Sequence, residues 1–203
     1  ISACEGCGAC VAACPTAALD QTCFSNAQII SQIETYLRDT QMGFPRIVVF
    51  SCNWCSYTAA DTAGLKRMAM DPHFAVIRTM CSARVDPEWV LKALSKGADG
   101  VLVLAGHPGR CHYEIGNLRT RKRMTLLHSY LEQMGFHPDR FHIAFVDSEE
   151  VEGYVNEVNG YIEKVKKLGP NPVDPQTKVS PKRLEMPWLD IKPPKMWDEG
   201  LEL

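Results

Sequence analysis

Nine cysteines are the residues of this 203-residue chain whose type and spacing could do chemistry, because thiolates bind metals and exchange with disulfides. Four of them stand together in the first 14 residues, and four more lie in three places between residues 52 and 111. Their spacings are those of metal ligands rather than those of a disulfide framework. The sequence therefore predicts two separate metal or redox sites.

The first site is the run Cys4-x2-Cys7-x2-Cys10-x3-Cys14, which a proline follows. This is the ligand run of bacterial ferredoxins, in which a tight loop directs three thiolates at one 4Fe-4S cluster. We expect Cys4, Cys7 and Cys10 to hold that cluster. In two-cluster ferredoxins the cysteine before the proline serves the other cluster, so Cys14 is a cluster ligand whose own partner stays open. Cys23 is an alternative fourth ligand or a packed thiol.

The elements that must position the other cysteines follow from an alternation of short apolar runs and longer helical patterns. This alternation predicts an α/β fold with a small flavodoxin-like parallel sheet of about four strands and helices on both faces. Strands are predicted at residues 47–50, 75–77, 101–104 and 143–146. Helices are predicted at residues 26–40, 57–70, 87–96, 113–134 and 149–168.

The second group of cysteines falls where the predicted strands end. Cys52 and Cys55 follow the first strand, Cys81 follows the second, and Cys111 lies in the loop after the third. Parallel α/β sheets place their ligands at this carboxyl edge, and the three loops are neighbours if the strand order is 2-1-3-4. The sequence therefore predicts that the four thiols converge.

Ligand count alone leaves the nature of this second site open. Four thiolates suit a 2Fe-2S cluster or a structural zinc ion equally well. A thiol-disulfide oxidoreductase is a further alternative, because Cys52 and Cys55 form a C-x-x-C motif just before a helix, although it leaves Cys81 and Cys111 unexplained. Four unrelated buried cysteines are the simplest alternative.

The stretches FSCNWCSYTAAD, TMCSARVDPEWVLKAL and GADGVLVLAGHPGRCHY, within residues 47–168, resemble the delta subunit of the methyl-viologen-reducing hydrogenase, the MvhD family. The CEGCGACVAACP motif and the helix after it resemble the C-terminal ferredoxin segment of HdrA, the flavin subunit of heterodisulfide reductase. Free-standing delta subunits lack such a segment, but fusions of the two parts occur. The resemblance favours iron-sulfur over zinc, and it implies a 2Fe-2S cluster on Cys52, Cys55, Cys81 and Cys111.

The same resemblance implies the function. An MvhD-like subunit passes electrons from a hydrogenase or a formate dehydrogenase to the HdrA-like flavin subunit of a heterodisulfide reductase complex. We therefore expect an electron-transfer subunit within a larger hetero-oligomer of oxidoreductases. No substrate chemistry of its own is expected, because bond chemistry happens in the partner subunits.

Charge and hydropathy exclude other partners. Lys and Arg number 22 against 24 Asp and Glu, a formal net charge of -2, so we expect neither nucleic acid nor an anionic membrane surface as a partner. No apolar run approaches the roughly 20 residues that a spanning helix needs, and no secretory signal opens the sequence, so we expect no membrane insertion and a cytoplasmic location.

Four parts are predicted along the chain. Residues 1–24 form the ferredoxin-type segment, residues 25–45 a connecting helix, residues 46–169 the α/β domain, and residues 170–203 an extended proline-rich tail. The tail carries two tryptophans that we expect to pack along a partner or back on the domain. The chain starts only three residues before its first cysteine, so we expect a longer N-terminal part to precede it.

Overall fold

The computed structural model describes residues 4–38 and 43–173. In chain order its elements are α1 (Asn26–Arg38), β1 (Ile47–Cys52), α2 (Ser56–Leu65), β2 (Phe74–Thr79), α3 (Pro87–Ser95), β3 (Gly100–Ala105), α4 (Gly116–Gln133), β4 (Phe141–Phe145) and α5 (Val151–Leu168). One-turn 3-10 helices at Ser82–Arg84 and Pro138–Arg140 precede α3 and β4. Most of the predicted tail, with Trp188 and Trp197, lies outside the described residues.

The four strands form one parallel sheet in the order β2-β1-β3-β4. This confirms the predicted α/β class and four-stranded parallel sheet, and it is the order under which the three cysteine-bearing loops are neighbours. The two central strands β1 and β3 are buried along their whole length. Such strands read as continuous apolar runs because helices cover both of their faces. The edge strands β2 and β4 are only partly buried.

Each face of the sheet packs against its own set of helices, because side chains alternate along a strand. On one face Val48 and Phe50 of β1 meet α1, α3 and α4, with the fully buried Trp89 stacked on Phe50 at a centroid distance of 5.8 Å. On the other face Ile47 and Val49 meet α2 and α5. These two layers fix the sheet, and the sheet fixes the loops at its carboxyl edge.

Helix α2 ends at Leu65, five residues before the predicted end, so that part of the prediction is wrong. The chain closes the helix through bonds from Arg67 N to Gly64 O and from Met68 N to Ala63 O, with Arg67 in the left-handed region at φ 52°. This turn directs Met68 and Met70 against the α2–α5 side of the core. These methionines therefore pack against the core from a loop and not from a helix.

The segment before α1 has neither helix nor strand among its described residues, and it lies on the α/β domain instead of forming a core of its own. Ala9 and Val11 are its buried side chains. Helix α1 then begins with a reciprocal cap, because Ser25 Oγ accepts from Gln28 N at 3.2 Å and Gln28 Oε1 accepts from Ser25 N at 2.9 Å.

At the opposite, amino edge of the sheet, Asp99 fixes the point where the chain leaves α5. Its carboxylate accepts from Arg46 N and from Asn171 N, both at 2.8 Å. The Asn171 side chain donates to the carbonyls of Leu94 and Ala98 at the end of α3.

None of the helices described above has the length and apolar character to cross a bilayer.

Candidate metal centres

The carboxyl edge of the sheet brings together the four cysteines of the second group, as the strand pattern predicts. Cys52 is the last residue of β1, Cys55 precedes α2, Cys81 follows β2, and Cys111 lies in the loop after β3. The first three are buried and Cys111 is half-buried. Three loops that are distant in sequence thus converge because their strands are neighbours.

Backbone and hydroxyl groups hold the loop that carries Cys52 and Cys55. Ser56 Oγ accepts from Cys52 N at 3.0 Å and donates to Leu104 O at 2.9 Å, so this hydroxyl ties the end of β1 to the end of β3. Asn53 N donates to Thr79 O at 2.8 Å, which ties the same loop to β2. The loop is therefore fixed from both sides without any metal.

The loop that carries Cys111 is fixed by two buried polar side chains. Asn117, in the first turn of α4, donates to Gly106 O at 2.9 Å and to His107 O at 2.6 Å. Asp147, just after β4, accepts from His107 N at 2.9 Å and pairs with Arg110 Nε at 2.8 Å. Both contacts restrict where the Cys111 thiol can lie.

The four sulfurs form a chain of neighbours in the order Cys55, Cys52, Cys81, Cys111. Hydrogen bonds from Cys55 and Cys81 lower the pKa of Cys52 to about 3, and a hydrogen bond from Cys81 lowers that of Cys111 to about 6. The pKa of Cys55 is raised, first because it donates to Cys52 and then because it is buried. Donation to Cys111 and to Cys52 raises the pKa of Cys81 in the same way. These hydrogen bonds link the four sulfurs into one continuous group.

His107, Asp147 and Glu150 have ligand atoms that all lie within 4.8 Å of one another. Within residues 4–38 and 43–173 this is the one such group of His, Cys, Asp or Glu, so no three cysteine sulfurs are that close together. The acidic group already has a cation, because Arg110 pairs with Asp147. Only the cysteines remain as candidate metal ligands at this edge.

Two glycines, Gly106 and Gly116, stand against the sulfurs. A Cβ on Gly116 would lie 2.5 Å from Cys81 Sγ and 3.3 Å from Cys111 Sγ. A Cβ on Gly106 would lie 2.5 Å from Cys55 Sγ. Contacts under 3.0 Å are prohibitive, so any side chain here would displace the thiols.

An aromatic group that sequence reasoning also missed covers the outer side of the second site. Trp54 Nε1 donates to Tyr113 Oη at 2.9 Å, and the Trp54 ring stacks on His112 at a centroid distance of 4.2 Å. His112 in turn meets Tyr113 edge-on at 4.8 Å. This group, the Trp54–His112–Tyr113 cover, bridges the loops that carry Cys55 and Cys111. Trp54 and Tyr113 are 59 positions apart in the sequence, so no motif spacing predicts their contact.

In the N-terminal run, Cys4, Cys7 and Cys10 line one cavity of about 270 Å³, whose opposite wall includes Tyr113 and Gly116. Cys14 does not line it. The Cys14 thiol lies 3.5 Å from Thr16 Oγ1, and hydrogen bonds from that hydroxyl and from nearby backbone amides lower its pKa to about 7. The structure thus groups the same three cysteines that the ferredoxin pattern groups, with Cys14 apart.

The two sets of cysteines meet at one apolar contact. Ala9 of the N-terminal loop packs with Cys81 and Ala83, all three nearly or fully buried. Cys7, Cys111 and Tyr113 pack against the same cluster. A cysteine of the first site and two of the second therefore share one set of contacts.

Comparison with known proteins matches both parts of the chain. Residues 47–169 match the family described as methyl-viologen-reducing hydrogenase, delta subunit. Residues 2–20 match the 4Fe-4S binding domain.

Individual relatives fall into two kinds. The chain is 41% identical over 126 residues to the vhc iron-sulfur subunit of the F420-non-reducing hydrogenase of Methanococcus voltae, which covers 62% of this chain and 88% of that protein. The corresponding iron-sulfur subunit of the F420-non-reducing hydrogenase of Archaeoglobus profundus is 40% identical over 126 residues, which covers 62% of this chain and 92% of that protein.

The other kind is much longer. The chain is 43% identical over 148 residues to HdrA of Methanosarcina acetivorans, which belongs to the ferredoxin/F420H2-dependent CoB-CoM heterodisulfide reductase of that organism. That match covers 72% of this chain but spans only 18% of the relative's length.

Proposed function

This chain belongs to the family of the methyl-viologen-reducing hydrogenase delta subunit, and from that premise we propose that it relays single electrons through two iron-sulfur clusters. The observation that carries the proposal is the shared contact of Cys7, Cys81 and Cys111 around Ala9. When bound, each cluster accepts and releases one electron at a time. The chain's own residues hold the clusters, fix their separation and exclude water between them.

Cys4, Cys7 and Cys10 hold the 4Fe-4S cluster. Their common cavity supports this assignment, as does the match of residues 2–20 to the 4Fe-4S binding domain. Cys14 serves a different partner group, since its thiol is turned toward Thr16 and away from that cavity. A ligand for the fourth corner of the first cluster then comes from outside residues 4–14.

Cys52, Cys55, Cys81 and Cys111 hold the 2Fe-2S cluster. On ligand count a structural zinc ion would fit as well. Iron is favoured because the short relatives are iron-sulfur subunits.

A dithiol exchange reaction at Cys52 and Cys55 is disfavoured by burial. Their exposed fractions are 2% and 4%, and thiol-disulfide exchange needs a thiolate that the other disulfide can reach. The lowered pKa of Cys52 comes from neighbouring thiols rather than from the N-terminus of α2, since Cys55 and Cys81 donate to it. That environment stabilises a ligand set.

The proposed partners follow from the two kinds of relative. One is an HdrA-like flavin subunit, because the long heterodisulfide reductase relative contains a region like this one. The other is a hydrogenase or a formate dehydrogenase, because the short relatives are iron-sulfur subunits of hydrogenases. The chain would then stand between them in a cytoplasmic hetero-oligomer.

The test is iron, sulfide and zinc analysis with EPR on anaerobically purified protein. Cys81→Ser should remove the 2Fe-2S signal and spare the 4Fe-4S signal. Cys23→Ser should keep the 2Fe-2S signal, and loss of its 4Fe-4S signal would identify this exposed thiol as the ligand of the fourth corner. Zinc in place of iron at the second site would refute the relay, and a disulfide reductase activity that survives Cys81→Ser would support the dithiol alternative.

A further inference from the structure

Arg84 is a fully buried arginine at the joint between the N-terminal segment and the α/β domain. It ends the 3-10 helix that starts directly after Cys81. Its Nη2 donates to Asn26 Oδ1 at 2.7 Å and to Phe24 O at 3.2 Å. Its guanidinium also lies over the Trp89 ring, with Cζ 4.4 Å from the centroid.

Among the described residues Arg84 has no carboxylate in close contact. Asp86 and Asp20 are the acidic groups that stabilise its charge. Of the two, only Asp20 comes within 4.0 Å, at 3.9 Å, and its side chain is 57% exposed, so water screens that pair. Arg84 Nε and Nη1 are buried and have no hydrogen-bond partner in the described part of the chain. A buried cation without a close counter-charge is costly, so a negative group nearby is expected.

The N-terminal loop packs on the aliphatic part of the Arg84 side chain. A Cβ on Gly8 would lie 2.6 Å from Arg84 Cδ, which puts the middle of the Cys4–Cys14 loop directly on the arginine side chain. The cavity lined by Cys4, Cys7 and Cys10 is formed by that same loop. A cluster with thiolate ligands carries net negative charge, and one-electron reduction adds one more.

We propose that Arg84 is the buried counter-charge of the cluster held by the N-terminal loop and raises its reduction potential. A fixed positive charge stabilises the reduced, more negative form, and burial keeps the interaction from being screened. Arg119 also lines the cavity, but it is exposed, so its effect is smaller. This inference rests on the proposed function, because it needs the 4Fe-4S cluster in that loop.

The decisive variant is Asn26→Asp. It puts a carboxylate where the amide oxygen now accepts from Arg84 Nη2 and from Trp89 Nε1, so it neutralises the arginine and keeps both hydrogen bonds. The side chains are nearly isosteric, and a carboxylate at the first residue of α1 suits the helix dipole. The matched control is Gln28→Glu, which adds the same charge to the same turn on an exposed side chain.

Redox titration followed by EPR gives the potential of each cluster. Asn26→Asp should move the 4Fe-4S potential to more negative values, Arg84→Gln should move it in the same direction, and Gln28→Glu should leave it near that of the wild type. An unchanged potential in Asn26→Asp, or an equal shift in Gln28→Glu, overturns the proposal. If Arg84→Gln does not retain its cluster, the comparison of Asn26→Asp with Gln28→Glu decides.

A second readout does not depend on a loaded cluster. Urea denaturation of the cluster-free protein should show that Asn26→Asp is more stable than wild type, because the buried guanidinium gains a paired carboxylate. An Asn26→Asp variant no more stable than Gln28→Glu would mean that Arg84 is already neutralised, which overturns the proposal. Absence of a 4Fe-4S signal from the wild type would instead refute the proposed function itself.

Discussion

Gly8 and Arg84 touch where the N-terminal loop meets the α/β domain, with only 2.6 Å between Arg84 Cδ and the position that a Cβ on Gly8 would take. The same position is 2.5 Å from Gln21 Oε1, and Gln21 Nε2 donates to Gly6 O. The loop therefore depends on the domain for its shape as well as for its burial. A ferredoxin-type segment this short cannot stabilise itself by a core of its own.

Gly8→Ala is expected to lower the occupancy of the 4Fe-4S cluster. The residue has φ 78°, which costs an L-residue about 1–2 kcal/mol, and its Cβ would also collide with an arginine that is fully buried and cannot move aside. Iron content and the EPR intensity of each cluster measure the effect. Gly6→Ala is the control, because Gly6 has φ 74° but open space around it. This variant therefore has the backbone strain of Gly8→Ala without a steric collision. Equal losses in both variants would contradict the contact with Arg84.

Gly116→Ala is expected to remove the proposed cluster at the second site and to affect the 4Fe-4S signal less, although Gly116 also lines the first cavity. The added Cβ would stand 2.5 Å from Cys81 Sγ, and Cys81 is fully buried, so its thiol must leave the array. Absorption and EPR spectra of the purified variant report the loss. Gly160→Ala in α5 is the matched control, since its Cβ meets nothing within 4 Å and alanine stabilises a helix interior by roughly 0.5–1 kcal/mol.

Trp54→Ala is expected to make the second site more accessible to solutes, because it removes the stacked ring of the Trp54–His112–Tyr113 cover and its hydrogen bond. The rate at which an iron chelator bleaches the second cluster should rise. Trp54→Phe keeps an aromatic ring and loses only the hydrogen bond to Tyr113, which is worth about 1 kcal/mol. Its bleaching rate should therefore rise by about fivefold, which is less than the rise expected for Trp54→Ala. Equal rates for wild type and Trp54→Ala would mean that the cover does not control access.

Asp71 gives the protein a stabilising contribution that is lost in acid. Burial alone would raise its pKa, but hydrogen bonds from Lys166 Nζ and from the backbone and ring of His73 outweigh burial and lower the pKa to about 2. Because the folded pKa is below the unfolded value of about 3.9, the contribution is complete above about pH 4 and disappears as the pH falls toward 2.

The measurement is the melting temperature of wild type and Asp71→Asn at several pH values, compared pairwise so that acid effects common to both cancel. The two proteins should differ near pH 7 by the equivalent of about 1 kcal/mol, since solvent screens part of the ion pair, and they should converge near pH 2. A difference that stays constant down to pH 2 would rule out this carboxylate as the source.

The strands and the grouping of the second set of cysteines could be predicted because they depend on local patterns and one general rule. Apolar runs such as residues 47–50 and 101–104 identify central strands, and parallel strands end at a common edge. The order β2-β1-β3-β4 then brings Cys52, Cys81 and Cys111 together. The early end of α2 could not be predicted, because the chain turns there through a left-handed Arg67, a conformation that its residue type does not indicate.

The residues that shape the sites could not be predicted for a different reason. Gly116 and Arg84 matter only through partners that approach in space, Cys81 Sγ for the glycine and the Gly8 loop for the arginine. Nothing in the neighbouring sequence of either residue indicates these contacts. The sequence has 22 Lys and Arg residues, and nothing in its residue type distinguishes Arg84 from those at the surface. The fold nevertheless buries the Arg84 side chain completely beside the N-terminal loop.

The Asn171 contacts have a practical consequence for electrochemistry. They hold the outgoing chain at the amino edge of the sheet, and a six-residue strand such as β1 separates that edge from the cysteines by about 20 Å. A linker attached to a cysteine in place of the exposed Pro172 would orient the protein on a support with its sulfur-bearing edge away from the surface. Immobilised this way, the protein would leave both cysteine sites open to a dissolved partner, while their distance from the support would slow direct electron exchange with an electrode.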